Sequence, residues 1–459
     1  MCPIHSGKPF SESDVESISS IGDSTKKDDA EKTGYKGIGF KSVFSDAETV
    51  YINSGNFSFA FDKKSPLYAR EKDMEIVPWQ IKPIWAERYR LPKEVQEVSA
   101  FFKSNVAISL SVGQEKIAEY NDVISSLMSQ PRFILFLRNV ARLRYESKLD
   151  GTFEISKVYC DNIVRIQSSD NSEDWLIKDY IIPIPPETQE QLQNDKLVPK
   201  KLKDSTKTKI AFAAKISSGN IDAAEDTILF TYLPTEVSDF EFKFLVNADF
   251  LTTASRETIH SKNVWNRFLF ENIGQLLIDW IASLHEYSGV ICLLPTEEYI
   301  GENLLKTDFF NSFKDASSQI RFIKGNDGEL HYQNEIIVDK SGLSNILGKN
   351  IYCKLIDPNK YLPYYKSDED AIKRSKILYG ITHIDTDIVL EKLQNSQIII
   401  DWFTTASIED RNDLFNWIKE KNTKTRETLI SDVVYSLPIF RIGHDFVSLK
   451  NIEDSHYII

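Results

Sequence analysis

Cysteine is scarce. Cys2, Cys160, Cys292 and Cys353 are the four in 459 residues, and no two stand at C-x-x-C spacing, so neither a zinc site nor a disulfide framework is readable. Such usage predicts a reducing, cytoplasmic setting. No apolar run approaches the ~18 residues of a spanning helix, and the N-terminus lacks a basic-then-apolar leader pattern, so no membrane association is expected. Positive charge is also short, with 55 Lys and Arg against 68 Asp and Glu and a formal net charge of −13. That balance speaks against a general nucleic-acid surface; polyanion binding would need a local basic patch. Internal repeats and low-complexity tracts are absent as well.

What is present is globular: 41% hydrophobic, 12% aromatic and 27% charged residues. At ~100–200 residues per domain the length predicts about two to four domains. In "SESDVESISS", Ser11 or Ser13 can cap a short helix. "ETVYINS" and "FSFAFD" alternate with period two around Ser54-Gly55-Asn56, the chemistry of a hairpin. "NVAISLSV" reads as a further strand. "KIAEYNDVISSLMSQPRFILFLRNVARL" has helical spacing up to Pro131, with a second helix expected after it. Strands follow in "LRYES", "TFEISKVY", "IVRIQS" and "WLIKDYIIPI". A Lys-rich linker precedes "KIAFAAKI", "TILFTYLP" and "FKFLVNADF". A long helix at about 261–286 carries a stripe of Val264, Phe268, Ile273, Leu276, Leu277, Trp280 and Ile281. From about 290 onward short helices and strands alternate through "QIRFIK", "EIIVD", "NIYCKLI" and "QIIIDWF". The fold class is therefore α+β.

The segment with chemical content is "TGYKGIGFKSVF", Thr33 to Phe44. A P-loop requires lysine directly after the last glycine. Gly34 and Gly39 have the right separation, but Phe40 intervenes before Lys41 and turns that lysine by about 100° around the following helix. The dinucleotide fingerprint fails on the order of its glycines and on the missing leading strand. What remains is a glycine-rich turn that opens a helix at Phe40. Gly37 and Gly39 would let backbone amides approach an anion at a helix N-terminus.

In sequence order, "HSGKPFSESDVESISSIGDSTKKDDAEKTGYKGIGFKSVF" resembles the ATP site of the GHKL superfamily (gyrase, heat-shock chaperone, histidine kinase, MutL), and in detail its sacsin and NO VEIN-like branch. The resemblance implies an incomplete Bergerat-type sandwich over residues 1–125. Gly7 would stand in the first glycine box near adenine, closed by Pro9 and Phe10. Ser24, Thr25 and Lys26 would begin the ATP lid, and Gly34 would lie where it ends. Backbone amides of Gly37, Ile38, Gly39 and Phe40 would hold the phosphates, with Lys41 and Ser42 in the helical turn behind. "NVAISL" occupies the place of the third box, with Ser104-Asn105 where many members have Gly-Thr. A chaperone-like middle domain is implied over 126–290, where "SRE" makes Arg256 the arginine that reaches the terminal phosphate and Glu257 its local partner. Read without the resemblance, Arg256 would cap or pair near the start of the following helix. The role of an α/β region over 291–459 is not implied.

Two departures shape the expectation. His5 stands where the family has an aspartate that receives the adenine amino group; a histidine can accept through one ring nitrogen but cannot supply the charge. The family's preceding helix, with a water-polarising Glu and a Mg²⁺-binding Asn, finds no room in the four residues before His5. A mis-started or truncated chain, a degenerate gene, or a partner chain completing the site are the explanations considered. The implied cofactors are ATP and Mg²⁺, and the implied function is a nucleotide-dependent switch, chaperone-like or defence-related, with protein clients or a homodimer as partners. A scaffold that keeps the fold without turnover, and a DNA-associated MutL- or MORC-like ATPase, are the alternatives. The seven histidines show no metal-ligand spacing. Asp385 and Asp387 beside His383 read as helix-capping and solvated acids. Trp265, Trp280, Trp402 and Trp417 read as core.

Overall fold

The computed structural model describes residues 1–20, 40–67, 78–86, 105–148, 151–169, 171–253, 256–295, 302–364 and 380–454 except 444, with positions 93, 96, 97, 100 and 378 besides. The fold is α+β. The first layer is a five-stranded sheet in the order β1-β5-β2-β3-β4, formed by β1 (Ile4–His5), β2 (Ala47–Ser54), β3 (Phe57–Asp62), β4 (Ile84–Trp85) and β5 (Val106–Val112). The expected hairpin is there, with Ser54 opposite Phe57 and Gly55 at φ 56° in the turn, a conformation that favours glycine. Val50, Ile52, Phe59 and Phe61 are buried on one face. Against them lie Phe44, Trp79 and helix α1 (Glu12–Ser19). Ser11 caps α1 through the Asp14 amide, and Asp14 returns the bond as a capping box. The helix expected at Phe40 is a single 3₁₀ segment, Phe40–Phe44. Its rings Phe40 and Phe44 meet edge to face at 5.8 Å.

Helix α2 (Gln114–Met128) leaves β5 and touches both sheets. Tyr120 donates to Asp46 at 2.7 Å, beside the start of β2. At the other end Ile124, Leu127 and Met128 enter the core of the next layer. The border expected at 125 thus falls inside one continuous helix. Beyond Pro131 the expected second helix is only a 3₁₀ turn, Pro131–Ile134, because Phe133, Ile134, Leu135 and Phe136 are all buried. A regular helix would turn part of that run away from the sheet.

The second layer is a sheet of nine strands: β6 (Arg142–Ser147), β7 (Gly151–Cys160), β8 (Ile163–Ser168), β9 (Ser172–Pro183), β10 (Lys207–Ser217), β11 (Asn220–Asp222), β12 (Leu229–Thr231), β13 (Leu233–Pro234) and β14 (Leu245–Ala248). Helices α3 (Pro186–Asn194) and α4 (Lys200–Lys203) fill the linker between β9 and β10. Strand β10 has two buried faces. Ala211 and Ala213 meet the Phe133–Phe136 segment, while Ile210, Phe212 and Ile216 meet α5 (Val264–Ser283). The apolar stripe read for α5 is rotated in the fold. Trp265, Leu269, Phe270 and Ile278 are buried with Ile273, Leu277, Trp280 and Ile281, whereas Val264, Phe268 and Leu276 are half-buried. The cause is that α5 is covered twice, by the sheet and by α6 (Leu304–Gln319). At their crossing a Cβ on Gly274 would lie 2.3 Å from the Phe309 carbonyl oxygen. The core of this layer continues past 290, through Leu305, Phe313 and Ile336.

Two pairs of short strands follow: β15 (Ile323–Lys324) with β16 (Leu330–His331), and β17 (Ile337–Asp339) with β18 (Thr382–Ile384). The rest is mainly helical, comprising α7 (Ser344–Leu347), α8 (Lys349–Ile356), α9 (Thr386–Leu393), α10 (Gln397–Thr405), α11 (Ile408–Lys421), α12 (Glu427–Ser436) and α13 (Leu449–Asp454). A last hairpin joins β19 (Phe440–Ile442) and β20 (Asp445–Val447). "NIYCKLI" and "QIIIDWF" are helices α8 and α10. In α10, Ile399, Trp402 and Phe403 fall on one face and are buried together. Tertiary burial therefore overrides the β preference of three consecutive isoleucines. Asp385 caps α9 by accepting from the Asp387 and Ile388 amides at 3.1 Å.

Candidate functional site

The first glycine turn is held at three points. Strand β1 runs antiparallel to β5, with His5 opposite Val106. The Asn105 amide donates to the His5 carbonyl at 3.0 Å, and Asn105 Nδ2 donates to the carbonyls of Ser6 at 3.0 Å and Gly7 at 2.9 Å. The Gly7 amide donates to His5 Nδ1 at 3.1 Å. A Cβ on Gly7 would stand 2.9 Å from that nitrogen, so a side chain there displaces the ring. Further on, the Phe10 amide donates to the buried Ser54 hydroxyl at 2.8 Å.

This geometry fixes the chemistry of His5. Burial holds the imidazole below its ordinary pKa of 6.5, which favours the neutral ring. With Nδ1 accepting from Gly7, the proton of the neutral ring sits on Nε2. The outward nitrogen is a donor and does not accept from an amino group.

Phe40 and Lys41 lie on the 3₁₀ segment. Lys41 Nζ donates to the carbonyl of Gln80 at 2.8 Å and to that of Ile18. Its ammonium also sits 5.3 Å from the Phe44 ring centre, and burial lowers its pKa. The side-chain charge is thus committed to two backbone carbonyls, where it ties the end of α1 to the turn after Trp79. Ser24, Thr25, Lys26, Gly34, Gly37, Ile38 and Gly39 lie outside the described residues.

Arg256 sits on the loop between Thr252 and Ile259, which pair across it as an isolated bridge. Its backbone is left-handed at φ 65°, a strained state for a side chain of this size. Its guanidinium Nη1 donates to Thr231 Oγ1 at 2.7 Å, and its carbonyl accepts from the Glu236 amide at 3.1 Å. It does not cap α5; Asn263 does, accepting from the Trp265 amide at 2.9 Å. Glu257, the implied local partner, is exposed and makes no ion pair with Arg256.

Sequence reasoning passed over one region of the second layer. There a cavity of about 250 Å³ opens between Leu137–Arg138 and the nine-stranded sheet, lined by Tyr232, Asn247 and Asp249 among others. The signal was present in "FLVNADF": Asn247 is a polar residue in a strand otherwise fully buried and apolar. Among the described residues no group of three or more His, Cys, Asp or Glu gathers as a metal site. Nor is any described helix long and apolar enough to cross a membrane.

Comparison with known proteins bears on the first layer and on much of the chain. Residues 4–116 match the family model of the Sacsin domain. The chain is also 25% identical to Protein NO VEIN of Arabidopsis thaliana over 304 residues, 62% of this chain and 10% of that protein. It therefore spans about a tenth of the length of the curated relative it matches. The two matches show similarity to the Sacsin domain and to Protein NO VEIN, and the residues that match the Sacsin domain include the five-stranded sheet.

Proposed function

We propose that the chain is a nucleotide-dependent conformational switch of the sacsin-like type, binding ATP in a GHKL-like N-terminal sandwich. The observation that carries this reading is the tie from Asn105 to Ser6 and Gly7. Residues a hundred positions apart, assigned to the third and first boxes, meet on neighbouring strands. That meeting supports a base-binding role for this turn. Phosphates would be held by the amides of Gly37, Ile38, Gly39 and Phe40, with Arg256 contributing charge from the second layer. When bound, ATP supplies the phosphate charge that a lid over 23–33 and Arg256 would follow. Among the described residues no group of three or more His, Cys, Asp or Glu gathers that could hold Mg²⁺, and no metal-dependent step is assigned. A chaperone-like or defence-related role in the cytoplasm, with protein clients, belongs to the same proposal.

His5 refines it. A donor at Nε2 leaves the adenine amino group without an acceptor there, so discrimination against a 6-oxo purine is weak. The test is calorimetry on the whole chain with ATP, ITP and Mg²⁺. Saturable ATP binding is expected, with ITP within about threefold and Gly39→Val weakening both by at least about tenfold. A folded protein giving no heat with ATP would instead favour a scaffold that has kept the fold without the ligand. The net charge of −13 weighs against the DNA-associated reading.

A further inference from the structure

The second layer passes into the helical remainder along two paired segments. Ile336 is buried in the core of the nine-stranded layer and Tyr361 packs against it, while the next residues, Ile337 and Leu362, are buried in the core of the helices that follow. The Ile337 amide donates to the Tyr361 carbonyl and the Tyr361 amide to the Glu335 carbonyl, both at 2.9 Å. The turn between β15 and β16 holds this joint from one side. There the Asn326 amide donates to the Leu362 carbonyl and Asn326 Oδ1 accepts from the Leu362 amide, again at 2.9 Å. Whatever fixes that turn also fixes the joint.

His331 is the informative group. It ends β16, is 6% exposed, and stacks on the Tyr361 ring with 3.7 Å between centres. Its Nε2 lies 2.9 and 3.0 Å from the two carboxylate oxygens of Asp327, in the turn, and its Nδ1 faces the Glu335 carboxylate at 3.4 Å. A neutral imidazole carries hydrogen on one nitrogen only, so it would aim a lone pair at one of these two carboxylates. The imidazolium points a hydrogen at each, and opposite charge on both edges favours it.

The other groups around the cluster keep their charge state while the ring changes. Burial would raise the Asp327 carboxyl, but His331 and the Glu329 amide outweigh it and hold the group below its ordinary 3.8. Arg321 stands 3.7 Å from Glu335 and is always charged. Glu335 also accepts from the Tyr332 amide at 3.0 Å. From α8, burial raises the Cys353 thiol near Asp327, and Lys349 donates to the Pro363 carbonyl at 3.0 Å. Of these side-chain types, histidine is the one that ordinarily changes charge between about pH 5 and 8. We propose that His331 is a proton-operated latch: protonated, it ties Asp327 to Glu335 and closes the joint at Tyr361 and Leu362; neutral, it releases one carboxylate and the joint loosens. The stabilisation is fullest on the acid side of that range, above the point where Asp327 takes a proton, and is lost as the ring gives its proton up.

The test uses the whole chain without nucleotide, with isotope-labelled histidine, read by nuclear magnetic resonance and by hydrogen exchange from about pH 5 to 8. At the acid end both ring nitrogens of His331, assigned by the signal lost in His331→Gln, should carry hydrogen. After correction for the intrinsic rate, exchange at the Tyr361 and Leu362 amides should rise at least about tenfold toward the alkaline end, while β10 stays unchanged. His331→Gln should lose this response. Because that variant also loses the stack on Tyr361, Asp327→Asn in the exposed turn serves as the second, expected to keep the parent's circular dichroism and cut the response to about threefold or less. The proposal is overturned if the ring carries a single hydrogen throughout, if exchange at the joint follows the intrinsic rate alone, or if folded Asp327→Asn responds as the parent does. Nucleotide is absent, so such a failure leaves the ATP reading untouched.

Discussion

The two large sheets cover themselves in opposite ways. In the nine-stranded layer, α5 is buried on two sides and β10 on both faces. In the five-stranded layer no residue of α1 is buried, and the facing core is a small set of aromatics with a lysine pointed into it. The first design spends apolar area on rigidity. The second depends on individual polar ties, which open at lower cost.

The sharpest way to break this contrast is Gly274→Val. Backbone atoms of α6 stand where the new side chain must go, so the helices have to part. A destabilisation above about 4 kcal/mol and loss of the cooperative transition of the second layer are expected in thermal unfolding. Next is Arg132→Ala. Arg132 Nε and Nη2 each donate to the Glu173 carboxylate at 3.1 Å, and Trp175 Nε1 donates to it at 3.1 Å. Removal leaves a largely buried charge, at a cost of about 3 kcal/mol by urea denaturation. The same carboxylate sets a pH dependence. Burial raises its pKa, but the bonds from Arg132 and Trp175 outweigh this and hold it below the ordinary 4.5. Unfolded chains therefore bind the proton more readily. The stabilisation is present above pH 4.5 and is lost as pH falls through the lower folded value, and Glu173→Gln should flatten that acid limb.

Smaller effects are expected in the first layer. Asn105→Ala should cost about 1–2 kcal/mol and raise hydrogen exchange at the Gly7 amide, while exchange in β10 stays unchanged. Equal loosening of both layers would sink the contrast. Lys41→Met should change stability by about 1 kcal/mol or less, since filling the space with apolar volume offsets the lost bonds to two carbonyls. Lys41 has a lowered folded pKa, so the parent gains stability as pH rises into the lysine range and the variant does not.

Local chemistry was legible where a few adjacent residues decide the outcome. Ser11 and Asp385 as caps, Gly55 in the hairpin and the strands from Arg142 to Pro183 followed from neighbours alone. The type of α8 and α10 was left open by the sequence, because short apolar runs suit either element and are decided by what they bury. The rotated stripe of α5 reflects a partner helix some forty residues downstream, information that periodicity within the helix does not contain. At the candidate site the sequence drew attention to the turn from His5 to Phe10, but the tautomer of His5 and the inward turn of Lys41 follow only from the bonds they make.

Helix α2 has a mechanical consequence. Its fifteen residues form a rod of roughly 22 Å, tied to Asp46 by Lys116 in the first turn at 4.0 Å and by Tyr120 at the middle, and anchored at its C-terminal end in the core against β7 and β8. No loop intervenes to absorb a twist. Whatever tilts the small sheet therefore applies torque to the large one, and α2 is the shaft through which either layer feels the other's load.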